Sequence, residues 1–332
     1  MFSNKPTRRA LLGAIAALGV LSVSGAALAQ SAFPGNKPIR IIVPWNAGGS
    51  NDIAARAISN ILAEQGIRII VENVPGATGS IGMTRVANAE PDGYTVGMGT
   101  SSTLALIAQG LTPLKSEQFA PIARVTTDPL VLLISSNGPA KDLESFLTRV
   151  KSNSGKITIG TPGNNNLNHY YALITGKVVG ANIIATPYTG GSKVIVDLAG
   201  KQIDAAVLKP SESKGQMDAG LVKPIAVFAN DRLKALPDVP TFKEKGYNIY
   251  PHGQLVQMAY LVAPAATPPA IRDRLITIFG SAIQSAKFKA LAAEGGALVD
   301  DLTGASLGRE IEAVQKSLGE VAKKVFPPPE KK

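Results

Sequence analysis

Short apolar runs typical of β-strands alternate with segments of helical hydrophobic spacing along most of this chain. Residues 39–43 form the first run, and apolar residues at helical spacing follow between 53 and 62. The same unit recurs at residues 69–71 and 81–89, and again at 95–98 and 104–107. This alternation predicts an α/β protein with mostly parallel sheets and helices on both faces.

The alternation is interrupted once and then begins again, which predicts two domains. A turn-like Thr127-Asp128-Pro129 separates two apolar runs, and strand and helix patterns then alternate from 142 to 228. Proline-rich chain leads to another apolar run at 258–262, and the helices after it should return to the first domain. We therefore expect domain 1 to comprise residues 30–128 plus 255–332, and domain 2 to comprise residues 129–254.

The first 29 residues have the three parts of a signal peptide. Lys5, Arg8 and Arg9 precede an apolar run at 10–23 that closes at Ala27-Leu28-Ala29. That run is shorter than the roughly 20 residues that a membrane-spanning helix needs. We expect cleavage after Ala29 and export to the periplasm, by the general secretory route or, since residues 7–12 resemble a twin-arginine motif, by the twin-arginine route.

Composition argues against several classes of function. The chain has no cysteine, which excludes disulfides and thiolate chemistry, and its two histidines show no metal-ligand spacing, so we expect no metal and no cofactor. The formal charge is +10, but the basic residues are scattered, so nucleic acid is not an expected partner.

Loops that follow the predicted strands carry the candidate binding residues, because ligands of open parallel sheets sit at the carboxyl ends of the strands. In the first loop, two glycines let main-chain N–H groups face outward where a helix begins, which suits a carboxylate or phosphate. An ordinary turn, with Ser50, Asn51 or Asp52 capping the helix, is the alternative. The candidates here are Trp45, Asn46, Ala47, Gly48, Gly49, Ser50 and Asp52.

Two further loops of the first domain have similar chemistry. Ala77, Thr78 and Gly79 lie in a glycine-rich turn that matches neither a dinucleotide fingerprint nor a Walker motif. Thr100, Ser101 and Ser102 carry hydroxyls that either donate to an anion or cap the next helix.

The second domain should supply the facing wall of a cleft. Lys209 follows a predicted strand, where it either pairs with an anionic ligand or is a solvated surface lysine. The other candidates are Gly163, Asn164, Asn165, Asn166, His169, Tyr188, Thr189 and Gly190.

The sequence does not predict an enzyme. It has no Gly-x-Ser-x-Gly elbow, no Cys-His pair and no carboxylate pair that spacing alone singles out. His169 is the candidate general base, but without a nucleophile we interpret it as a structural or ligand-contacting residue.

Ordered motifs across nearly the whole chain after residue 29 resemble the solute-binding receptors of tripartite tricarboxylate transporters, also called Bug receptors. The matching segments are residues 37–40, 44–49 with Asp52, 55–56, 75–77 with Gly79 and Gly82, 91–95, 187–191, 237–242 with Glu244, 246–247, 263–264 and 267–268.

The resemblance implies a type II periplasmic-binding-protein fold, or Venus flytrap, with crossings near 127–130 and 253–256 acting as hinges. It implies a monomer that binds a di-, tri- or aromatic carboxylate through main-chain N–H groups and hands it to membrane permease subunits. The residues that correspond to the family's binding loops are 45–52, 77–79 and 100–102, with 163–166, His169 and 188–190 on the second domain.

The sequence departs from the family's pattern at two places. Asn165 and Asn166 replace the second glycine and the serine of a Gly-x-Gly-Ser-x-x-His run, and Trp45 stands where phenylalanine is more usual. The indole adds a broad apolar face, which is compatible with an aromatic carboxylate. Two other functions stay open from the residues: a ligand sensor for a two-component system, and an exported hydrolase or lyase.

Overall fold

The structure is a computed structural model that describes residues 33–252 and 255–326. The predicted signal peptide lies outside these residues, as do residues 253 and 254 of the second predicted hinge and the last six residues of the chain. No helix in the described ranges is both long enough and apolar enough to span a bilayer.

Strands and helices alternate as the sequence predicts. The strands are β1 (Ile39–Val43), β2 (Ile69–Asn73), β3 (Thr95–Thr100), β4 (Phe119–Thr127), β5 (Leu130–Ser135), β6 (Thr158–Thr161), β7 (Ile184–Pro187), β8 (Ala205–Leu208), β9 (Val222–Phe228) and β10 (Met258–Pro264). The helices are α1 (Ser50–Glu64), α2 (Ser80–Ala87), α3 (Ser101–Ala108), α4 (Leu143–Ser152), α5 (Leu167–Lys177), α6 (Gly191–Ala199), α7 (Pro210–Asp218), α8 (Pro269–Ile283), α9 (Ala286–Glu294) and α10 (Gly304–Val325).

These strands form two five-stranded sheets of equivalent order. The first sheet runs β2-β1-β3-β10-β4 and the second runs β7-β6-β8-β5-β9. In each sheet four strands are parallel and one is antiparallel to its neighbours, namely β10 in the first and β5 in the second. The predicted two-domain α/β fold with mostly parallel sheets is confirmed.

The antiparallel strand of each sheet comes directly after the chain has crossed between the sheets. Asp128 and Pro129 connect β4 to β5, and the chain returns through residues 255–257 into β10. The two crossings touch each other, because the N–H of Asp128 donates to the carbonyl of Gln257 at 2.8 Å. This contact places both connections side by side behind the cleft.

Continuous apolar strands explain why both faces of each sheet are covered. In β1 the side chains of Ile39, Ile41, Ile42 and Val43 are all fully buried, as expected for a strand between two helical layers. Helices α8 and α10 both pack against β4, so the C-terminal helices do return to the first sheet.

One helix was not predicted. Helix α7 has only Pro210 and Ser213 buried, so it lacks the apolar stripe from which the other helices are predicted. Two local signals do mark it, since Pro210 occupies its first position and Glu212 its third, where a carboxylate accepts a main-chain N–H.

Candidate cleft between the two sheets

The turn between β1 and α1 opens the helix N-terminus toward the cleft. Gly48 adopts a left-handed conformation, and Gly49 is the N-cap residue of α1, with no side chain capping the helix. The alternative that Ser50, Asn51 or Asp52 caps this helix is therefore wrong. The first main-chain N–H groups of α1 are left for another acceptor.

Asp52 supports this turn from behind. Its Oδ2 accepts the N–H of Gly48 at 2.9 Å and Nε of Arg56 at 3.0 Å, and the residue is 3% exposed. Burial alone would raise the pKa of the Asp52 carboxyl, but the hydrogen bonds from Arg56 and Gly48 outweigh it and hold the pKa below the ordinary value. Asp52 thus holds the turn in shape and does not line the cleft cavity.

The turn after β2 is backbone under strain. Ala77 and Thr78, in a short 3₁₀ turn, have φ of 46° and 52°, values that non-glycine residues seldom adopt. At Gly79, with φ of 91°, a Cβ would lie 2.6 Å from Oγ1 of Thr103 and 3.5 Å from the Trp45 ring. Such strain is common at ligand-binding turns. The missing Cβ at Gly79 lets this loop pack against the indole of Trp45.

The hydroxyl side chains after β3 have two roles: one holds the fold together, and the others line the cleft. Ser101 donates to the carbonyl of Val256 at 2.9 Å and accepts the N–H of Met258 at 3.0 Å, so its hydroxyl ties the returning chain to α3. Thr100 and Ser102 line the cavity instead, and the hydroxyl of Thr100 is buried without a partner.

The asparagine run of the second domain organises the start of α5. Oδ1 of Asn166 accepts the N–H of His169 at 2.9 Å, and Nδ1 of His169 accepts the N–H of Asn165 at 3.0 Å. The imidazole also packs against Phe326, with ring centroids 5.0 Å apart. Burial lowers the pKa of His169 to about 4, so the ring is neutral at pH 7 and its Nδ1 lone pair is occupied.

Direct contacts join the two domains across the cleft. Nδ2 of Asn46 donates to Oγ1 of Thr189 at 2.8 Å, and the N–H of Asn164 donates to Oγ1 of Thr78 at 3.2 Å. Gly163, with φ of 120°, lets Thr78 approach, because a Cβ there would lie 2.9 Å from that side chain. The domains are therefore in contact along the mouth of the cleft.

The tyrosine loop stands at one side of these contacts. Burial, together with a hydrogen bond to Asp197, raises the pKa of Tyr188 to about 12. Gly190 lies against Asn46, since a Cβ at this glycine would be 3.4 Å from both N and Cβ of Asn46. Tyr188 packs on the core of the second domain, whereas Thr189 and Gly190 meet the first.

Lys209 has a partner within the protein. Its Nζ donates to Oδ2 of Asp128 at 2.8 Å, and both side chains are 5% exposed. Thr126 donates to the same carboxylate oxygen at 2.8 Å. The buried ion pair joins the second domain to the crossing segment, and the interpretation of Lys209 as a solvated surface lysine is wrong.

A small, partly open cavity lies where these elements meet. Its volume is about 20 Å³, enough for roughly one water molecule. Its lining includes the predicted residues Trp45, Asn46, Gly49, Ser50, Thr100, Ser102 and Lys209. The other predicted residues are not part of the lining: Ala47, Gly48, Asp52, Ala77, Thr78, Gly79, Ser101, Gly163, Asn164, Asn165, Asn166, His169, Tyr188, Thr189 and Gly190.

Sequence reasoning included Asn51 and Gly191 in the binding loops but missed the rest of the lining, namely Pro162, Asn168, Glu212 and Gln257. Glu212 lies on the unpredicted α7, although its third position in a proline-initiated helix after a strand was a usable signal. Gln257 lies in the returning crossing, and no local pattern marks it.

Several buried polar atoms at this cavity have no hydrogen-bond partner in the described part of the chain. They are Nε1 of Trp45, Oγ1 of Thr100 and Oε1 of Gln257, in residues that are 7%, 1% and 7% exposed. Buried polar groups are normally paired, so these atoms mark a place suited to a polar ligand. The indole N–H can only donate, whereas the amide oxygen can only accept.

Within residues 33–252 and 255–326, no cluster of three or more His, Cys, Asp or Glu side chains has the arrangement of a metal site. The cavity walls contain main-chain N–H groups, hydroxyls and amides, with Lys209 and Glu212 as the charged members. This set is suited to holding a small polar molecule by hydrogen bonds.

The sequence profile of the tripartite tricarboxylate transporter family receptor, TctC, matches residues 53–318. The chain belongs to this family of receptors. A relative of this TctC receptor, a UPF0065 protein of Bordetella pertussis, is 34% identical over 281 residues, which is 84% of this chain and 85% of the relative.

Solved structures resemble this TctC receptor over most of its length. One, described as a periplasmic transporter, has 30% identity and a TM-score of 0.81, covering 88% of this chain and 98% of its own. MatC from Rhodopseudomonas palustris, solved with bound malate, has 27% identity and a TM-score of 0.79, covering 87% and 99%. The family expectation from the sequence motifs is confirmed.

Proposed function

We propose that this protein is a periplasmic receptor that closes its cleft on a small carboxylate and presents it to the permease subunits of a tripartite tricarboxylate-type transporter. Membership of a solute-receptor family supports this function. The bound malate of the related MatC supports a carboxylate as the ligand class.

The observation that carries the proposal is the convergence of strand ends on one small cavity. An uncapped helix N-terminus at Gly49 and the left-handed turn at Thr78 lie at the carboxyl ends of parallel strands, beside the cavity. Trp45 and Thr100 add unpaired buried donors at the cavity wall. Such N–H and O–H groups are the natural partners of a carboxylate.

Binding requires the domains to part and close again. A carboxylate such as malate is far larger than about 20 Å³, so it enters when the contacts of Asn46 with Thr189 and of Thr78 with Asn164 are broken. Contacts of the ligand with both domains then favour the closed form. The hinges in this proposal are Asp128–Pro129 and the return segment at 253–256. They separate domain 1, which comprises residues 30–128 plus 255–332, from domain 2, which comprises residues 129–254.

The permease subunits read the closed form, in which surfaces of both domains have a fixed relation. The receptor acts as a monomer, because each copy contains both walls of its cleft. Binding, closure and release need no chemical step, and a neutral His169 away from the cavity fits a role in building the cleft wall.

The test is a thermal-shift and calorimetric screen of the purified protein, refolded to remove any bound ligand. The panel contains malate, succinate, citrate and benzoate, with sugars as non-carboxylate controls. A ligand at 100 times its Kd stabilises the native state by about 2.7 kcal/mol. Stabilisation by a carboxylate supports the proposal, and stabilisation by the sugars alone contradicts it.

Closure can be measured separately because the chain has no native cysteine. Ile70 on β2 and Ile184 on β7 are 47% and 46% exposed on different domains, so Ile70→Cys with Ile184→Cys accepts a pair of fluorescent labels. We expect a ligand that stabilises the protein to narrow and shift the distance distribution. Stabilisation with an unchanged distribution would contradict the hinge mechanism alone.

A further inference from the structure

Glu212 holds a position in the cleft that the carboxylate-receptor function does not explain. It occupies the third position of α7, and its Oε2 accepts the N–H of Lys209 at 3.2 Å. Its Oε1 accepts the hydroxyl of Ser50 from the first domain, also at 3.2 Å. The carboxylate therefore lies at the seam of the two domains and lines the cavity.

Within the described residues, the Glu212 carboxylate accepts its hydrogen bonds from a main-chain N–H and a hydroxyl and not from a cationic group. Lys209, the cationic residue in the cavity wall, is hydrogen bonded to Asp128 at 2.8 Å. Asp128, Lys209 and Glu212 together therefore carry one negative charge in excess. Burial raises the pKa of the Glu212 carboxyl, and the attraction of Lys209 opposes this only in part.

A second group at the cavity can also accept a hydrogen bond from a ligand. Oε1 of Gln257 is buried, unpaired and able only to accept a hydrogen bond. Gln257 lies in the return segment and Glu212 on α7, so two acceptors reach the cavity from different parts of the chain. A dicarboxylate without a hydroxyl, such as succinate, supplies neither with a hydrogen-bond donor, and its second charge is repelled by that of Glu212.

The position of Ser50 sets where the ligand's donor must be. Ser50 is the first residue of α1, whose N-terminal N–H groups are the proposed carboxylate cradle, and its hydroxyl touches Glu212. The acidic group is thus within one side chain's length of the cradle. A ligand that serves both has its carboxylate and its donor on the same carbon atom, as an α-amino acid has.

We propose that Glu212 determines the ligand class of this receptor by pairing with an ammonium group, so that the cleft selects an α-amino acid over the corresponding 2-hydroxy acid and over dicarboxylates. This rests on the proposed carboxylate-binding function. An ammonium group compensates the charge of a buried carboxylate, whereas a hydroxyl donates a hydrogen bond but leaves that charge uncompensated.

The experiment compares matched ligands that differ in one group. Calorimetry measures the Kd of the refolded protein for L-alanine and L-lactate, for L-leucine and L-2-hydroxyisocaproate, and for L-aspartate and L-malate. We expect the best-bound pair to favour the amino acid at least tenfold. In Glu212→Gln, which keeps a hydrogen-bonding group of the same size, that ratio should fall below threefold.

The control is Glu244→Gln. Glu244 accepts the N–H of Thr241 at 3.1 Å, three residues earlier, just as Glu212 accepts that of Lys209, but it lies outside the cavity lining. The same substitution there should leave the ratio unchanged. Circular dichroism of both variants separates a change of preference from a loss of fold.

Two adverse outcomes are distinguishable. Tighter binding of the hydroxy acids, or a ratio that Glu212→Gln leaves intact, overturns the role of Glu212 and leaves the carboxylate receptor standing. If no pair binds and no member of the carboxylate panel stabilises the protein, the proposed function and the role of Glu212 both fall.

Discussion

The first domain brings glycine-rich turns and main-chain N–H groups to the cleft, whereas the second brings lysine, glutamate and amide side chains. Both domains have the same strand order, so this difference does not come from topology. The turns at Gly48 and Thr78 depend on backbone conformation, and Asp52 supports the first of them from outside the cavity. Lys209, Glu212 and Asn168 reach the cavity with their own functional groups.

This comparison separates two tasks that one cleft must perform. Main-chain N–H groups recognise any carboxylate, because every residue supplies the same donor. Side chains on the opposite wall can change by single substitutions without disturbing those turns, so they are suited to discriminate among carboxylates. The predictions that follow test whether each domain behaves in this way.

The largest effect is expected from the buried ion pair behind the cleft. Lys209→Met leaves the Asp128 carboxylate buried at 5% exposure without its cation, which should lower the free energy of unfolding by about 3–5 kcal/mol. Urea unfolding followed by circular dichroism measures this. Adding Asp128→Asn should recover much of the loss, and a single variant as stable as the parent would show that the pair contributes little.

The strained turns should differ in what they disturb. Gly79→Ala places a Cβ 2.6 Å from Thr103 at a φ of 91°, and we expect a loss of about 2 kcal/mol in stability together with weaker binding of every carboxylate. Gly163→Ala should cost a similar amount but act on closure, because its Cβ would press on Thr78 across the cleft.

Gly215→Ala is the control for both, since it lies within α7 with open space around it and should raise stability by about 0.5–1 kcal/mol. Calorimetry and the labelled cysteine pair separate affinity from closure. If Gly215→Ala lost as much affinity as Gly79→Ala, the proposal that the Gly79 turn recognises carboxylates in general would be contradicted.

Protonation of His169 in the second domain and of Asp52 in the first should lower the free energy of unfolding in different pH ranges. The pKa of His169 falls from about 6.5 unfolded to about 4 folded, so the unfolded state binds more protons in that interval and stability falls as the pH drops through it. With the ring partly exposed, we expect a loss of about 2 kcal/mol. The folded-state pKa of Asp52 is lowered from 3.8, so its contribution is present above that value and is lost only at lower pH.

Urea unfolding at pH 7.5, 6, 5 and 4 measures this slope, with His169→Gln as the comparison. The variant lacks the titrating ring and should lose the part of the slope between about pH 6.5 and 4. An identical slope in both proteins would mean that His169 does not couple to folding.

The smallest effect is expected at the mouth of the cleft. Asn46→Ala removes the exposed hydrogen bond between Asn46 and Thr189. This should shift the equilibrium between open and closed forms by about 0.5–1.5 kcal/mol. The labelled cysteine pair reports this shift without ligand. Thr189→Ala should give the same shift, and the double variant should add little to either, because both remove one contact.

Local patterns predicted most of the elements, because apolar periodicity is a property of neighbouring residues. Each strand of both sheets and most helices were expected close to their observed ranges, whereas α9 and α10 were expected only as further helices after α8. The antiparallel direction of β5 and β10 was not predicted, since strand direction depends on how the chain re-enters a sheet after crossing. Helix α7 was missed because it buries little apolar surface.

The candidate site was predicted less completely than the fold. The loops after β1 and β3 were found because glycine and hydroxyl residues that directly follow a strand are typical of ligand-binding turns. Ser101 was expected beside a ligand, but its hydroxyl bonds the returning chain at Val256 and Met258, far along the sequence. Glu212 and Gln257 were missed because nothing in their local sequence announces a cleft.

The sequence by itself determined the class of protein: two α/β domains, the order of their elements, and the family whose motifs the chain carries. Those features depend on short-range periodicity and on turns that read the same in any context. Only the tertiary structure decided that Lys209 pairs with Asp128, that His169 is neutral at pH 7, and that Glu212 meets Ser50 across the cleft. Charge and hydrogen bonding depend on distance in space, and residues far apart in the chain become partners only when the two domains fold together.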